Sequence, residues 1–445
     1  RAILSHTGSL AGDRDVESAA FERCGIIMVS SIEEMTEAAM LSARLPRAFE
    51  PGRSIGVVCI GSGGATSLAS DVLEEAGMSI PLLSEASRKQ LKEVMPPFVT
   101  PQNPLDVAGY AFDDEAKLAG VALDTFGRDP AFDKLLAVVP GLPHVESCVR
   151  SVERVASASM NPVHTVFIGG PYTDQGIKLA HDRSLSWSDD LDRAGRMLAA
   201  AANFGEVRAR SQAPFKIRSK TVSGGGVALT EYESKRLLAP YGIATPRERL
   251  CRNLTEAVAA ANAVGYPIAL KVQSVALPHK SDVGGVAIGI SSDEALVETF
   301  SEMERRVDGV VDRRDIAGYL VQEMASSGVE VFVGIKNDPT YGPTLLVGCG
   351  GQLVEVMRDI AVAVLPVSTE DVERLVARTA LDQLFDGVRG RKPVNRAAVT
   401  EAVLAIARFA DDHCDRLKEL DLNPLVVNDA GAVAVDALVV WDSVS

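Results

Sequence analysis

The chain has 445 residues, 47% of them apolar and 24% charged, with a formal net charge of -15. That length suits about three domains, each able to bury its own core, and the acidic balance excludes a general binder of nucleic acid or of an anionic membrane surface. No uninterrupted apolar run approaches the ~20 residues of a membrane-crossing helix.

Residues 1–8, RAILSHTG, carry no apolar signal segment, and with Arg1 instead of an initiator Met the start reads as that of a fragment or a processed chain. The six cysteines (Cys24, Cys59, Cys148, Cys251, Cys349 and Cys414) are scattered without a CxxC pair, as expected of isolated thiols in a reducing cytoplasm.

Residues 1–45 hold a Gly-rich loop, a helix, the short strand GIIMVS and a second helix, SIEEMTEAAMLSARL, which together read as the tail of an α/β unit. From residue 53 to 205 strand-length apolar runs alternate with helical stretches. IGVVCI is followed by GSGG and the helix ATSLASDVLEEAG, SIPLL by the helix SEASRKQLKEVM, and LLAVVPG and PVHTVFIGG by further helices. Strands buried on both faces with helices between them predict a doubly wound parallel sheet. Residues 206–227 mix Pro, Gly, Ser and charge without periodicity and read as a linker. From 228 to 445 two helices, TEYESKRLLAPYG and NLTEAVAAANAVG, precede the strands GGVAIGI, YLVQEM, VEVFVGIK and GPTLLVGCG. The helix NRAAVTEAVLAIARFADD and the hairpin LDLNPLVVNDAGAVAVDALVV close this α+β domain.

Within the last domain, Lys271 ends an apolar strand, where its ammonium can either point into a cleft and neutralise phosphates or snorkel to the surface. Gly284 and Gly285 permit close backbone approach to phosphate oxygens, or a plain strand-entry turn. Alternation puts Asp421 and Asn423 on one face of a hairpin strand, with Asp436 opposite them on its partner. Three such oxygen ligands suit Mg²⁺, and a solvated hairpin face is the alternative. In the middle domain, Ser62, Gly63 and Gly64 form a strand–Gly–helix turn that offers an anion site or simply tight helix–strand packing.

In one order, LTEYESKRLLAPYGI, YPIALKVQS, HKSDVGGV, VQEM with VEVFVG, GPTLLVGCGG with VEVMRD, and ELDLNPL resemble the ATP-grasp domain of NDP-forming acyl-CoA synthetases. The middle domain, with its NPLDVAG turn, resembles that family's second flavodoxin-like domain. SHTGSLAG at 5–12 resembles its phosphohistidine loop. The resemblance implies that His6 carries phosphate, since a neutral imidazole is a competent nucleophile near pH 7. His279 matches the second phosphorylatable histidine of ADP-forming acetate–CoA ligases. Gln322, Glu323 and Met324 then read the nucleotide base, with Glu330 at the ribose. His144, His164, His181 and His413 lack such surroundings and are expected to be structural.

One departure is Ala363, which stands where relatives often carry Arg. No GxGxxG turn of a CoA-binding Rossmann domain occurs, nor the first half of the ligase domain. The implied reaction converts a carboxylic acid, CoA and ATP into acyl-CoA, ADP and phosphate, reversibly, as an acid–thiol ligase using Mg²⁺. The implied partner is an N-terminal CoA-binding region, and a homo-oligomer is expected. A regulatory acyl-CoA-synthetase-like module and an ATP-grasp carboxylate–amine ligase are the alternatives.

Overall fold

A computed structural model describes residues 13–107, 117–141, 145–209, 226–277, 280–351, 359–387 and 392–443. His6 and His279 lie outside the described residues, as do 210–225 of the expected linker. The chain divides into two compact units, one of Phe21–Pro214 and one of Arg1–Ala20 with Phe215–Ser445. Helix α1 (Asp13–Arg23) begins in the second and ends in the first.

The first unit is a five-stranded parallel sheet in the order β2-β1-β3-β4-β5. Its strands are β1 (Ile55–Cys59), β2 (Leu105–Asp106), β3 (Lys134–Pro140), β4 (Val163–Ile168) and β5 (Trp187–Ser188). Seven helices belong with it: α2 (Ile32–Arg44), α3 (Gly63–Glu75), α4 (Glu85–Val94), α5 (Lys117–Arg128), α6 (Val145–Ala158), α7 (Asp174–Asp182) and α8 (Leu191–Ala209). Every residue of β1 is buried, and its side chains alternate between two cores. Ile55, Val57 and Cys59 pack with Leu41, Leu73 and Leu198, whereas Val58 packs with Leu91, Leu123 and Val155. Helices therefore cover both faces, as the unbroken apolar runs require.

Two expected strands do not form among the described residues. SIPLL makes a single bridge, Ser54 to Ser79, because Pro81 has no amide to donate to a ladder. Leu105–Asp106 pairs with β1 instead. GIIMVS forms no strand and pairs with no described strand. It leaves Ile26, Met28 and Val29, with Ile32 and Met35 of α2, between 37% and 74% exposed in one apolar strip.

The second unit contains two antiparallel sheets. The smaller has the order β7-β10-β8-β9, from β7 (Glu248–Cys251), β8 (Ile268–Gln273), β9 (Val286–Ile290) and β10 (Gly318–Glu323). Helices α10 (Leu254–Val264) and α11 (Asp293–Val307) share a core with it. The larger runs β13-β12-β11-β14-β16-β6, with β15 paired to β14. Its strands are β6 (Gly226–Ala228), β11 (Val329–Asp338), β12 (Gly342–Cys349), β13 (Ile360–Val364), β14 (Leu417–Val427), β15 (Ala432–Ala434) and β16 (Ala437–Asp442). Ala363 sits on β13 opposite Leu345.

One face of the larger sheet packs against α12 (Thr369–Ala377), α13 (Leu381–Phe385) and α14 (Arg396–Asp412). On the other face Phe332, Leu346 and Val364 receive Val16 and Ala20 of α1. Helix α9 (Glu231–Leu238) contacts both sheets. The Ser234 hydroxyl accepts from the Val439 amide at 3.0 Å, and the Tyr232 amide donates to Gln273 Oε1 at 3.0 Å.

Candidate functional site

Strand alternation sorts the residues of the smaller sheet. Ile268, Leu270 and Val272 of β8, with Tyr319 and Val321 of β10, enter the core beneath α10 and α11. Lys271 and Gln273, Gln322, and Glu248 opposite Gln322 therefore share the other face. Lys271 does not end its strand as expected. It lies within β8, paired to Leu320 and Val286, and is almost wholly buried.

Onto this face α9 turns its first residue, Glu231, positioned by a capping box between Thr230 and Glu233. Three lysines converge on the Glu231 carboxylate. Lys235, one helical turn on, and Lys271 reach Oε1 at 2.6 and 2.7 Å, while Lys280 contacts Oε2. Each has a second partner. Lys235 holds Glu248 at 3.0 Å, Lys271 donates to the Val435 carbonyl at 2.9 Å, and Lys280 meets Asp436 at 2.9 Å. The Gln322 amide donates to the same Val435 carbonyl at 3.1 Å.

Burial opposes ionisation of Glu231, but Lys271, Lys280 and Lys235 together hold its carboxyl well below the ordinary range. Burial lowers the Lys271 ammonium against the pull of Glu231 and Asp436. Lys280 is also desolvated, yet Asp436 and Glu231 outweigh that and hold its proton more tightly than usual. Burial raises the Glu248 carboxyl. The result is a largely buried, balanced set of three cations and three anions, with Asp436 its most open member, in which removal of a buried partner strands a charge.

Gly284 and Gly285 are not open amide donors in this arrangement. The Gly285 amide donates to the Lys280 carbonyl at 2.7 Å and the Gly284 amide to the Ser281 carbonyl at 3.1 Å, closing the turn that carries Lys280. A Cβ on Gly285 would lie 2.6 Å from Val272 Cγ1 and 2.8 Å from that Lys280 oxygen, so the turn requires glycine.

A second cluster forms where β12 ends. The Gly351 amide donates to Asn423 Oδ1 at 2.8 Å, and Glu330 Oε2 takes the place a Cβ on Gly351 would need. Asp421 pairs with Gly334 and Leu438, and Leu422 with Ala437, so Asp436 falls beside Asn423. Asp421 shares its sheet face with Leu346 across Gly334, the face on which α1 rests. Among the described residues no group of three or more His, Cys, Asp or Glu is arranged for a metal ion. An ion here would take two carboxylates, one amide oxygen and substrate or water oxygens, a donor set suited to Mg²⁺. The Lys280 ammonium already stands on Asp436 as a cation in that place.

Glu323 is engaged with Arg247. Its carboxylate takes the guanidinium at 2.7 and 3.0 Å, and its amide donates to the Arg247 carbonyl at 2.9 Å. Met324 follows just beyond the end of β10.

In the first unit Ser62 caps α3 by accepting from the Ala65 amide at 3.3 Å. Among the described residues, a Cβ on Gly64 would meet nothing within 4 Å and one on Gly63 only Asp106 Oδ2 at 3.4 Å, which leaves this helix start uncovered by them. Asn103 of the NPLD turn ties it to β1, its Oδ1 accepting from Val57 and its Nδ2 donating to Ile55 and Pro81, each at 2.9 Å.

The other described histidines sit in structural settings. His164 is buried against Ser186, His181 contacts Arg44, and His413 packs among Tyr241, Phe409 and Trp441. All six cysteines are free thiols, and no helix among the described residues is long and apolar enough to cross a membrane.

Sequence reasoning missed Glu231, Lys235, Glu248 and Lys280. The four-residue spacing of Glu231 and Lys235 was visible but indistinguishable from an ordinary solvated helix pair.

Residues 220–440 match a family model described as an ATP-grasp domain, and residues 1–42 one described as a succinyl-CoA ligase like flavodoxin domain. Acetate–CoA ligase [ADP-forming] I of Archaeoglobus fulgidus is 30% identical over 98% of this chain and 63% of its own length. The 4-hydroxybutyrate–CoA ligase [ADP-forming] of Nitrosopumilus maritimus is 27% identical over 97% of this chain and 62% of its own. The chain thus spans under two thirds of these relatives. The beta subunit of acetate–CoA ligase [ADP-forming] II of Pyrococcus furiosus is 33% identical, over 51% of this chain and 96% of its own length. Among solved structures, acetyl-coenzyme A synthetase 1 of Ca. Korarchaeum cryptofilum, in complex with coenzyme A and Ca-AMPCP, is 35% identical with a TM-score of 0.47. It covers 49% of this chain and 94% of that one.

Proposed function

Because the chain belongs to the ADP-forming acyl-CoA synthetase (acetate–CoA ligase) family, we propose that it performs the phosphoryl-transfer half of that reaction. The carboxylic acid, CoA and ATP are its substrates, and acyl-CoA, ADP and phosphate its products. The observation that carries this reading is the convergence of the buried Lys271 and Lys280 ammonium groups beside Asp436, a charge pattern suited to nucleotide phosphates and their metal. Domain boundaries at 45, 53–205, 206–227 and 228–445 go with it, as does a reducing cytoplasm for its free thiols.

In this reading Lys271 and the segment Gln322–Met324 hold the nucleotide, with Glu330 at its sugar. Asp421, Asn423 and Asp436 hold Mg²⁺, which neutralises phosphate charge when bound. His279 attacks the γ-phosphorus as ADP leaves and passes the phosphoryl group to His6. The carboxylate takes it from His6 as an acyl phosphate, and CoA sulfur displaces phosphate from that. Ser62, Gly63 and Gly64 at the start of α3 receive the phosphate charge on His6. The seat of α1, which follows the His6 loop, on the sheet face of Asp421 supports an approach of that loop to the nucleotide. CoA binding falls to an N-terminal region supplied with this chain.

The test is incubation with γ-labelled ATP. Wild-type protein is expected to take up acid-labile, base-stable label. His279→Ala abolishes it and His6→Ala blocks its discharge to acid and CoA. Label that survives both substitutions refutes the relay, and wild-type protein that takes up no label favours a carboxylate–amine ligase, which needs no histidine.

A further inference from the structure

Of the three lysines gathered on Glu231, Lys280 makes a direct contact with a residue assigned to the metal. Lys235 spends its second contact on Glu248 and Lys271 on the Val435 carbonyl, whereas Lys280 grips both Asp436 oxygens, at 2.9 and 3.0 Å. Its side chain is only 15% exposed, so water does little to screen it. A divalent ion at the Asp436 carboxylate would compete with an ammonium held this close, because like charges at such range repel. Lys280 also opens the turn closed by the Gly284 and Gly285 amides, and in sequence it directly follows His279.

We propose that Lys280 is a positioning residue that stands in for the metal at Asp436 in the nucleotide-free protein. Arrival of the metal–nucleotide complex displaces its ammonium from Asp436 onto phosphate oxygens and thereby releases the turn beside His279. The inference rests on the reading of Asp421, Asn423 and Asp436 as metal ligands. Glu231 stays behind as the anchor of Lys271, which keeps its contact to the Val435 carbonyl and has no reason to move. The turn is thus kept in place until both the metal and an acceptor for the ammonium are present, which couples its release to substrate arrival.

Mn²⁺ binding to the nucleotide-free 445-residue chain, read by electron paramagnetic resonance, tests this without turnover. Lys280→Met is expected to bind Mn²⁺ about tenfold more tightly than wild type, since a competing cation is gone. Lys280→Arg, which keeps the charge, stays near wild type, and Asp436→Asn loses the ion in every background. In parallel, hydrogen exchange of the Gly284 and Gly285 amides in the wild-type chain rises when Mn²⁺ and a non-hydrolysable ATP analogue are added. That measurement needs no variant and stands even where Lys280→Met fails to fold. Unchanged exchange, equal Mn²⁺ affinity of Lys280→Met and wild type, or equal tightening by Met and Arg each overturns the placeholder role while leaving the metal site in place. Retention of Mn²⁺ by Asp436→Asn refutes the metal reading itself, and the inference with it.

Discussion

Glu37 on α2 and His164 on β4 face one another in the first unit with their Oε1 and Nε2 atoms 3.9 Å apart, neither hydrogen-bonded. Arg193 and Ser188 hold the other oxygen of Glu37, and Ser186 holds the far ring nitrogen of His164 at 2.8 Å. Burial pushes the imidazole down to about 4 and the Glu37 carboxyl up. A histidine neutral in the fold but free to protonate when unfolded contributes stability above its unfolded pKa, and loses it as pH falls toward the folded one. Between pH 7 and 4.5 this amounts to about 2 kcal/mol. Urea titrations at the two pH values are expected to show wild type losing that much more than His164→Gln. An identical loss in both would mean that His164 is already charged in the fold. At the same scale, Lys271 was legible because a lysine in an apolar strand is conspicuous. Lys280 and Glu231 were not, since HKSD reads as a loop and TEYE as an ordinary capped helix start. Their meaning comes from a meeting of α9, β8 and the turn after β8 that no local pattern encodes.

Elements were read best where burial is one- or two-sided and continuous. IGVVCI, LLAVVPG and VEVFVGIK became β1, β3 and β11, because an apolar run covered on both faces has few other fates. SIPLL failed through its proline, and the strand β13 and the helix α11 went unnamed, although DEALVETFSEMERRV spaces its apolar residues at helical intervals. Helix α8 shows how closely elements meet. A Cβ on Gly205 would lie 2.5 Å from the Phe49 carbonyl oxygen and 2.6 Å from Pro51 N, where the chain passes from the 3-10 turn Pro46–Phe49 toward β1. Gly205→Ala must push that backbone away. Thermal or urea unfolding of the variant is expected to show a loss of about 1–3 kcal/mol, the usual cost of overpacking. A loss below a few tenths would mean that the segment yields freely.

For the molecule as a whole, the apolar strip of Ile26, Met28, Val29, Ile32 and Met35 sets its behaviour in solution. Exposed apolar side chains on a segment outside any described sheet invite association with another chain. The net charge of -15 slows such encounters at low ionic strength and loses its reach as salt shortens the Debye length. The isolated chain should therefore self-associate with rising salt and concentration, as sedimentation velocity would reveal. A Met28→Glu, Ile32→Glu double variant should stay monodisperse under the same conditions, and equal association of the two would place the sticky surface elsewhere. For anyone handling the protein, dilute low-salt buffer rather than the usual saline becomes the sensible storage medium.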